Sequence, residues 1–269
     1  MIGQLLIFGM GYSAGRLAAK LRLEGWEVTG IRRQAVDGCL AFEDAASVSA
    51  AIASTTHILS SVPPLSESGD PVLIQYGADI AANANCWVGY LSATGVYGDT
   101  QGAWVDESAP IGFGRRTARA EADWDWQRLG SVFRLPGIYG PGRSALDRVQ
   151  SGKAHRIDLP GQVFSRVHVD DIVSGVIAGI GGPRGCYNLS DDMPSSQNAV
   201  IDYACALLRV APPPMQSLDE AQLSPMAQGF YGENRRISNR KAKRLLGWTP
   251  VYSNYKQGLD AILHAVTKV

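Results

Sequence analysis

The chain has 269 residues, 45% of them hydrophobic and 19% charged, with 25 basic and 25 acidic side chains. That profile is typical of a globular protein, long enough for one large domain or two closely joined ones. Zero net charge removes the electrostatic argument for nucleic acid or an anionic membrane as the main partner, although the basic half is uneven, with six lysines against nineteen arginines.

Taken in order, Leu5 to Phe8 reads as a strand, and Ala14 to Glu24 as a helix with apolar positions at Leu17, Ala18 and Leu21. Glu27 to Ile31 is a second strand. Asp44 to Ser54 is an alanine-rich helix, Thr56 to Val62 a strand, Pro71 to Asn83 a helix and Trp87 to Leu91 a strand. A helix follows from about Arg119 to Leu129, then a strand from Ser131 to Leu135. Strands alternating with helices predict an α/β fold: a Rossmann-type doubly wound parallel sheet with right-handed crossovers. Beyond Tyr139 the pattern loosens into turns, short strands and two later helices, about Ser196 to Leu208 and Tyr255 to Val266, with Pro212-Pro213-Pro214 as a turn or linker. The expected division is a dinucleotide-binding domain over 1–155 and a smaller α/β substrate lobe over 156–269, interleaved in one unit.

The four cysteines, Cys39, Cys86, Cys186 and Cys205, are far apart, with no Cys-x-x-Cys and no nearby histidine pair. They read as buried thiols of a cytoplasmic protein, not as a metal site. No stretch approaches the ~18 apolar residues of a membrane span. The N-terminal residues lack a basic leader and a cleavage site, so no membrane partner is expected.

The first strand runs into Gly9-Met10-Gly11-Tyr12-Ser13-Ala14, and a helix follows at once. In that context the glycines signal a dinucleotide site: Gly9 permits the turn and Gly11 lets backbone approach a pyrophosphate. Ala14 allows close helix–strand packing, and the amides near Tyr12 and Ser13 offer N–H groups and a positive dipole end. An NAD site would place an acid about 20 residues on, to bind the ribose hydroxyls. Here the second strand ends in Gly30-Ile31-Arg32-Arg33, with no acid before Asp37. Guanidinium groups suit a 2′-phosphate, so Arg32 and Arg33 favour NADP over NAD. Ser60, Val62 and Pro63, at the end of the next strand, complete the expected cofactor wall.

Four further segments carry a family resemblance. Leu91-Ser92-Ala93-Thr94-Gly95-Val96-Tyr97-Gly98, Arg134-Leu135-Pro136-Gly137-Ile138-Tyr139-Gly140-Pro141-Gly142, Arg166-Val167-His168-Val169-Asp170-Asp171 and Leu246-Gly247-Trp248-Thr249-Pro250 come in that order along the chain. Together they resemble the extended short-chain dehydrogenase/reductase superfamily, of the NAD-dependent epimerase/dehydratase type. The resemblance implies hydride chemistry on a nicotinamide cofactor, a small-molecule substrate, cofactor contacts at Leu91 and Pro136, and a substrate cleft near Arg143 and Arg166. Homo-oligomerisation is compatible with it.

It also implies a Tyr-x-x-x-Lys pair, in which the ammonium lowers the phenol's pKa, and a strand hydroxyl that holds the substrate oxygen. This chain matches neither. Phe113 stands at the tyrosine, Thr117 at the lysine and Ala93 at the hydroxyl position. The chain has no tyrosine between Tyr97 and Tyr139 and no lysine between Lys20 and Lys153. The Tyr252/Lys256 match lies elsewhere, and with Ser253 as the expected N-cap its tyrosine precedes the helix. The sequence thus resembles the atypical members of the superfamily.

Ser92, Thr94 and Tyr97 are the replacement candidates for catalysis. Arg115, Arg116 and Arg119 could stabilise an oxyanion, and His168 with Asp170 could exchange a proton. A structural role competes with each: Tyr97 packs, the arginines solvate a helix face, and His168 anchors a turn. Two functions remain open. One is an NADP-dependent oxidoreductase acting on a small carbonyl or sugar-derived substrate through a non-standard relay; the other is an inactive NADP-binding redox sensor or partner-binding regulator.

Overall fold

The computed structural model describes residues 3–36, 38–66, 68–114 and 117–266. In chain order these form β1 (Gln4–Phe8), α1 (Tyr12–Leu23), β2 (Glu27–Arg32), β3 (Cys39–Ala41), α2 (Ala45–Ser54), β4 (His57–Ser60), α3 (Pro71–Ala82) and β5 (Trp87–Ala93). A 3-10 turn (Thr94–Tyr97) leads to β6 (Trp104–Val105), α4 (Thr117–Leu129), β7 (Ser131–Leu135), β8 (Gly137–Tyr139) and α5 (Ala145–Gln150). The rest comprises β9 (Arg156–Ile157), β10 (Arg166–His168), α6 (Val169–Gly181), β11 (Cys186–Asn188), α7 (Gln197–Leu208), β12 (Met215–Gln216), α8 (Pro225–Tyr231), β13 (Arg236–Ile237), α9 (Arg240–Leu246) and α10 (Tyr255–Val266).

Seven parallel strands make the central sheet, in the order β3-β2-β1-β4-β5-β7-β11. Successive side chains of a strand face opposite ways. Leu5 and Ile7 accordingly enter one core with Leu17 and Leu21 of α1 and Ile172 and Val176 of α6. Leu6 and Phe8 enter the other, with Ile52 of α2, Tyr76 of α3 and Trp126 of α4. A third core joins α5, α7 and α10 through Leu146, Ile201, Ala204, Leu259 and Ile262. Strand order reverses between β1 and β4, which leaves a crevice at the carboxyl ends of the strands.

Helix starts follow side-chain chemistry. Asp70 accepts from the amides of Val72 and Leu73, with Pro71 at the first helical position. Ser144 and Asp147 form a reciprocal capping box, and Ser196 caps α7.

Several boundaries differ from the sequence reading. The strand expected to Val62 ends at Ser60, and the helix expected from about Arg119 is described from Thr117. At α10 it is Asn254, not Ser253, whose side-chain Oδ1 accepts from the backbone amides of Lys256 and Gln257. Cys39 and Cys86 are only half-buried, unlike Cys186 and Cys205. The larger omission is α6, a full helix within the stretch read as turns. Its Gly175 and Gly179 lower helix propensity by about 1 kcal/mol each relative to alanine. Packing demands them: a Cβ would lie 2.6 Å from Leu189 at Gly175 and 2.4 Å from Phe133 at Gly179. The edge strands β3 and β11 have three residues each, too few to show a period.

One polar cluster crosses this apolar interior. Arg134 of β7 pairs bidentately with Asp123 of α4, Nε to Oδ2 at 3.0 Å and Nη2 to Oδ1 at 2.7 Å. The two side chains are 3% and 0% exposed. Removing one partner of a buried pair strands the other charge. Asp123→Ala should therefore cost about 3–5 kcal/mol in chemical denaturation. Arg16→Ala, which breaks the half-exposed Arg16–Asp170 bridge, should cost less than about 1 kcal/mol.

Candidate functional site

The turn between β1 and α1 is built on one residue with positive φ, Gly9 at +84°, where a Cβ would also press on Ser61 and Val62 at 3.0 Å. Gly11 differs: its φ of −86° is ordinary, and a Cβ there would enter open space. It is the backbone N-cap of α1, with no side-chain cap and no acid in the first turn. The first amides of a helix have no intrahelical acceptor, so those of Tyr12, Ser13 and Ala14 face the crevice with the dipole's positive end. An open cradle of this kind fits a dinucleotide pyrophosphate.

Around the turn, Gly30 is a contact glycine, where a Cβ would lie 2.4 Å from Met10. Arg32 donates to the Met10 carbonyl at 2.8 Å, which holds its guanidinium over the glycine turn. Arg33 is exposed beside it, and Asp37 lies outside the described residues. At the end of β4, Ser61 and Pro63 reach the cleft. Ser60 turns into the sheet with its hydroxyl unpartnered, and Val62 packs on the core beneath.

The cleft has a volume of about 1080 Å³ and runs from Gly11–Ala14 past Leu91–Gly95 and Leu135–Tyr139 into the lobe. Leu91, Pro136, Ser92 and Thr94 all line it. Ser92 donates to Asp123 at 2.6 Å. Tyr97 stands apart from these two, buried behind the wall, where its hydroxyl accepts from Arg134 at 2.9 Å and donates to Asn188 at 2.8 Å. Burial pushes the Tyr97 phenol upward, with Arg134 opposing.

The positions where the relay would stand are arranged otherwise. Phe113 is 82% exposed and precedes α4, while Thr117 is the exposed first residue of that helix. Arg115 and Arg116 lie outside the described residues. Arg119 does line the cleft, and donates to the hydroxyl of Tyr90 at 3.1 Å. Tyr252 packs against His168 with ring centroids 4.2 Å apart and the rings tilted by 55°, whereas Lys256 lies over the ring of Tyr203.

His168 does not line the cleft. It is buried between Tyr139 and Tyr252, Nδ1 accepts from the Asp170 amide at 3.2 Å, and Nε2 has no partner. Burial lowers its pKa to about 4, against the pull of Asp170, so the ring is neutral at pH 7.

Arg143 and Arg166 both reach the cleft. Arg143 sits 5.7 Å from the ring of Tyr12, whose hydroxyl donates to the Pro141 carbonyl, so the cofactor turn is tied to the turn after β8. Arg166 is buried and donates to the carbonyls of Phe164 and Ser195 and to Gln197. Sequence reasoning missed Arg148, Lys153, Arg235 and Glu233, which the fold gathers from separate segments without a local motif. Among the described residues, the lining carries six Arg and Lys side chains and one carboxylate, Glu233, in a chain of zero net charge.

No protein-family model matches the chain. A conserved protein of unknown function from Silicibacter pomeroyi is 40% identical, over 98% of this chain and 99% of its own, with a TM-score of 0.86. A human epimerase family protein solved with NADPH is 17% identical over 97% of this chain and 99% of its own, with a TM-score of 0.75. A 3-diazoavenalumate denitrifying reductase from Streptomyces is 31% identical over 142 residues, 48% of this chain and 46% of its own, so the match spans about half that relative's length. The chain belongs to one family with the Silicibacter protein, and its fold is that of the NAD-dependent epimerase/dehydratase proteins, the extended short-chain dehydrogenase/reductases.

A pH test separates His168 from the cleft chemistry. Its folded pKa lies below the unfolded 6.5, so the unfolded chain binds the extra proton and stability falls as pH drops from about 6.5 toward 4. Between pH 7 and 4.5 this should remove roughly 2 kcal/mol in wild type. His168→Asn keeps a capping acceptor and should lose that part of the slope in urea titrations.

Proposed function

We propose that the chain is an NADP(H)-dependent oxidoreductase of the epimerase/dehydratase type, acting on a small carbonyl or sugar-derived anion without a tyrosine–lysine relay. The observation that carries this reading is the continuity of the cleft: the uncapped amides of Tyr12–Ala14 open into the same basic space as the lobe residues Arg143, Arg148 and Arg166. Solved neighbours of this fold hold NAD as well as NADPH, and the arginines ending β2 are our reason for preferring NADP. Residues 1–155 would carry most of the cofactor cradle and 156–269 most of the substrate lobe. When bound, the nicotinamide supplies or accepts a hydride.

The residues divide the remaining work. Gly9, Gly11 and Ala14 shape the cradle, and Tyr12 and Ser13 supply amides to it. Arg32 and Arg33 would meet the 2′-phosphate, while Pro63, Leu91 and Pro136 wall the cofactor, with Ser60 and Val62 supporting from beneath. Ser92 and Thr94 present hydroxyls where Ala93 has none, and Tyr97 acts on Ser92 only through Arg134 and Asp123. A substrate that is already cationic at the hydride-accepting atom needs no enzymic acid. The Streptomyces relative, named as a reductase of a diazo compound, makes that class worth including in a substrate panel. The vacated relay supports a second reading, a redox sensor that binds NADP(H) without turnover.

Gly11→Val has room to fold but fills the cradle; it should keep the wild-type melting temperature while NADPH affinity falls at least about tenfold. Arg32→Ala/Arg33→Ala should cut the preference for NADPH over NADH by about tenfold and leave NADH binding little changed. NADPH oxidation in a panel of keto acids, sugar nucleotides and diazonium compounds then separates enzyme from sensor. Tight binding without turnover in every case favours the sensor; no binding of either nucleotide would sink both readings.

A further inference from the structure

We infer that Arg119 makes the cleft discriminate between cofactor redox states, favouring the reduced, uncharged nicotinamide over the oxidised, cationic one. The inference rests on the cofactor site proposed above and concerns what that site prefers.

Arg119 is held in place. It lies in the first turn of α4, and its Nη1 donates to the hydroxyl of Tyr90 at 3.1 Å. Tyr90 is fully buried and stacked on Trp126, ring centroids 5.3 Å apart, and the Trp126 indole donates to Asp70 at 2.8 Å. The phenol is thus a rigid post, and the guanidinium reaches the cleft beside Ser92–Gly95.

Arg119 also carries little compensation. It makes no ion pair among the described residues. Asp70 feels the Arg119 charge from behind the wall, where it is buried with Oδ1 accepting from the Val72 and Leu73 amides and Oδ2 from Trp126, and it does not line the cleft. One turn along α4, Asp123 is engaged by Arg134, Ser92 and Gln127. Elsewhere in the cleft, Arg235 pairs with Glu233 at 2.8 Å, and Arg143 stands by Tyr12 at the pyrophosphate end. Among the described residues, Arg119 is the basic side chain that lines the cleft beside Ser92–Gly95.

The direction of a dinucleotide across the switch point brings the two together. With its pyrophosphate on Tyr12–Ala14 and its adenylate end toward Arg32 and Arg33, the other end crosses to the carboxyl ends of β4 and β5. The nicotinamide would then lie beside Ala93–Gly95, which line the same cleft as Arg119. A fixed cation penalises the pyridinium ring and leaves the dihydropyridine ring untouched. Two charges several Å apart in a partly solvated cleft give a discrimination on the order of five- to tenfold. Guanidinium does not titrate near neutral pH, so the effect is electrostatic and involves no proton transfer. Such a site fills from the reduced pool and releases the oxidised form readily, which suits either a reductase or a sensor.

The test is the ratio of dissociation constants for NADP+ and NADPH, measured by calorimetry on wild type, Arg119→Gln and Arg119→Lys. The two ligands share the same phosphates, so phosphate contacts cancel in the ratio. Wild type should bind NADPH more tightly, and the ratio should fall five- to tenfold in Arg119→Gln and largely persist in Arg119→Lys. High salt should narrow the ratio in wild type and leave it flat in Arg119→Gln. Far-UV circular dichroism and melting confirm that each variant is folded. Should Arg119→Gln fail to fold, a wild-type ratio near one, or one indifferent to salt, overturns the inference on its own. Equal weakening of both ligands, or no change in either, overturns the inference while leaving the cofactor site standing. Failure of wild type to bind either form overturns the cofactor site itself.

Discussion

The far wall of the cleft depends on a charged pair sealed from water. Arg134 and Asp123 tie β7 to α4, and through their remaining hydrogen bonds they fix Ser92 on β5, Tyr97 on the 3-10 turn and Asn188 on β11. A buried ion pair is costly to form and more costly to break on one side, so its geometry is well determined. It anchors α4 to the sheet one turn beyond Arg119. The opposite wall needs no charge. There the reversal of strand order between β1 and β4 opens the crevice, and the uncapped start of α1 faces it.

Phe113 and Thr117 stand in positions coherent with this architecture. Phe113 stands in a loop ahead of the described part of α4, 82% exposed. Gly98 and Gly114 bring that loop against the turn after Tyr97, where a Cβ on Gly114 would lie 2.7 Å from Gly98. The wall is completed by backbone contact and by the guanidinium of Arg119, in the first turn of α4.

The sequence made the sheet's centre legible because β1, β4 and β5 are continuous apolar runs flanked by helices of clear period. α6 was hidden because its glycines serve close packing against Phe133 and Leu189, and packing partners cannot be read from local propensity. At the candidate site, motif residues at segment ends came together as spacing suggests: Gly11, Ser13, Ala14, Pro63, Leu91, Ser92, Thr94 and Pro136 all line one cleft. Ser60 and Ser61 show the limit of such reading, since a shift of one residue along a strand turns a side chain to the other face. Tyr97 shows another. The 3-10 turn rotates its phenol away from the cleft and onto Arg134. The basic lobe residues were invisible for a different reason: Arg148, Lys153 and Arg235 meet only once the chain has folded.

The most direct measurement is a crystal structure grown with NADPH. The account predicts the pyrophosphate on the amides of Tyr12–Ala14, the 2′-phosphate by Arg32 and Arg33, and the nicotinamide beside Ala93–Gly95 within reach of Arg119. A nucleotide bound in the reverse sense, with its nicotinamide toward Arg32, or no nucleotide in the cleft at saturating concentration, would contradict it.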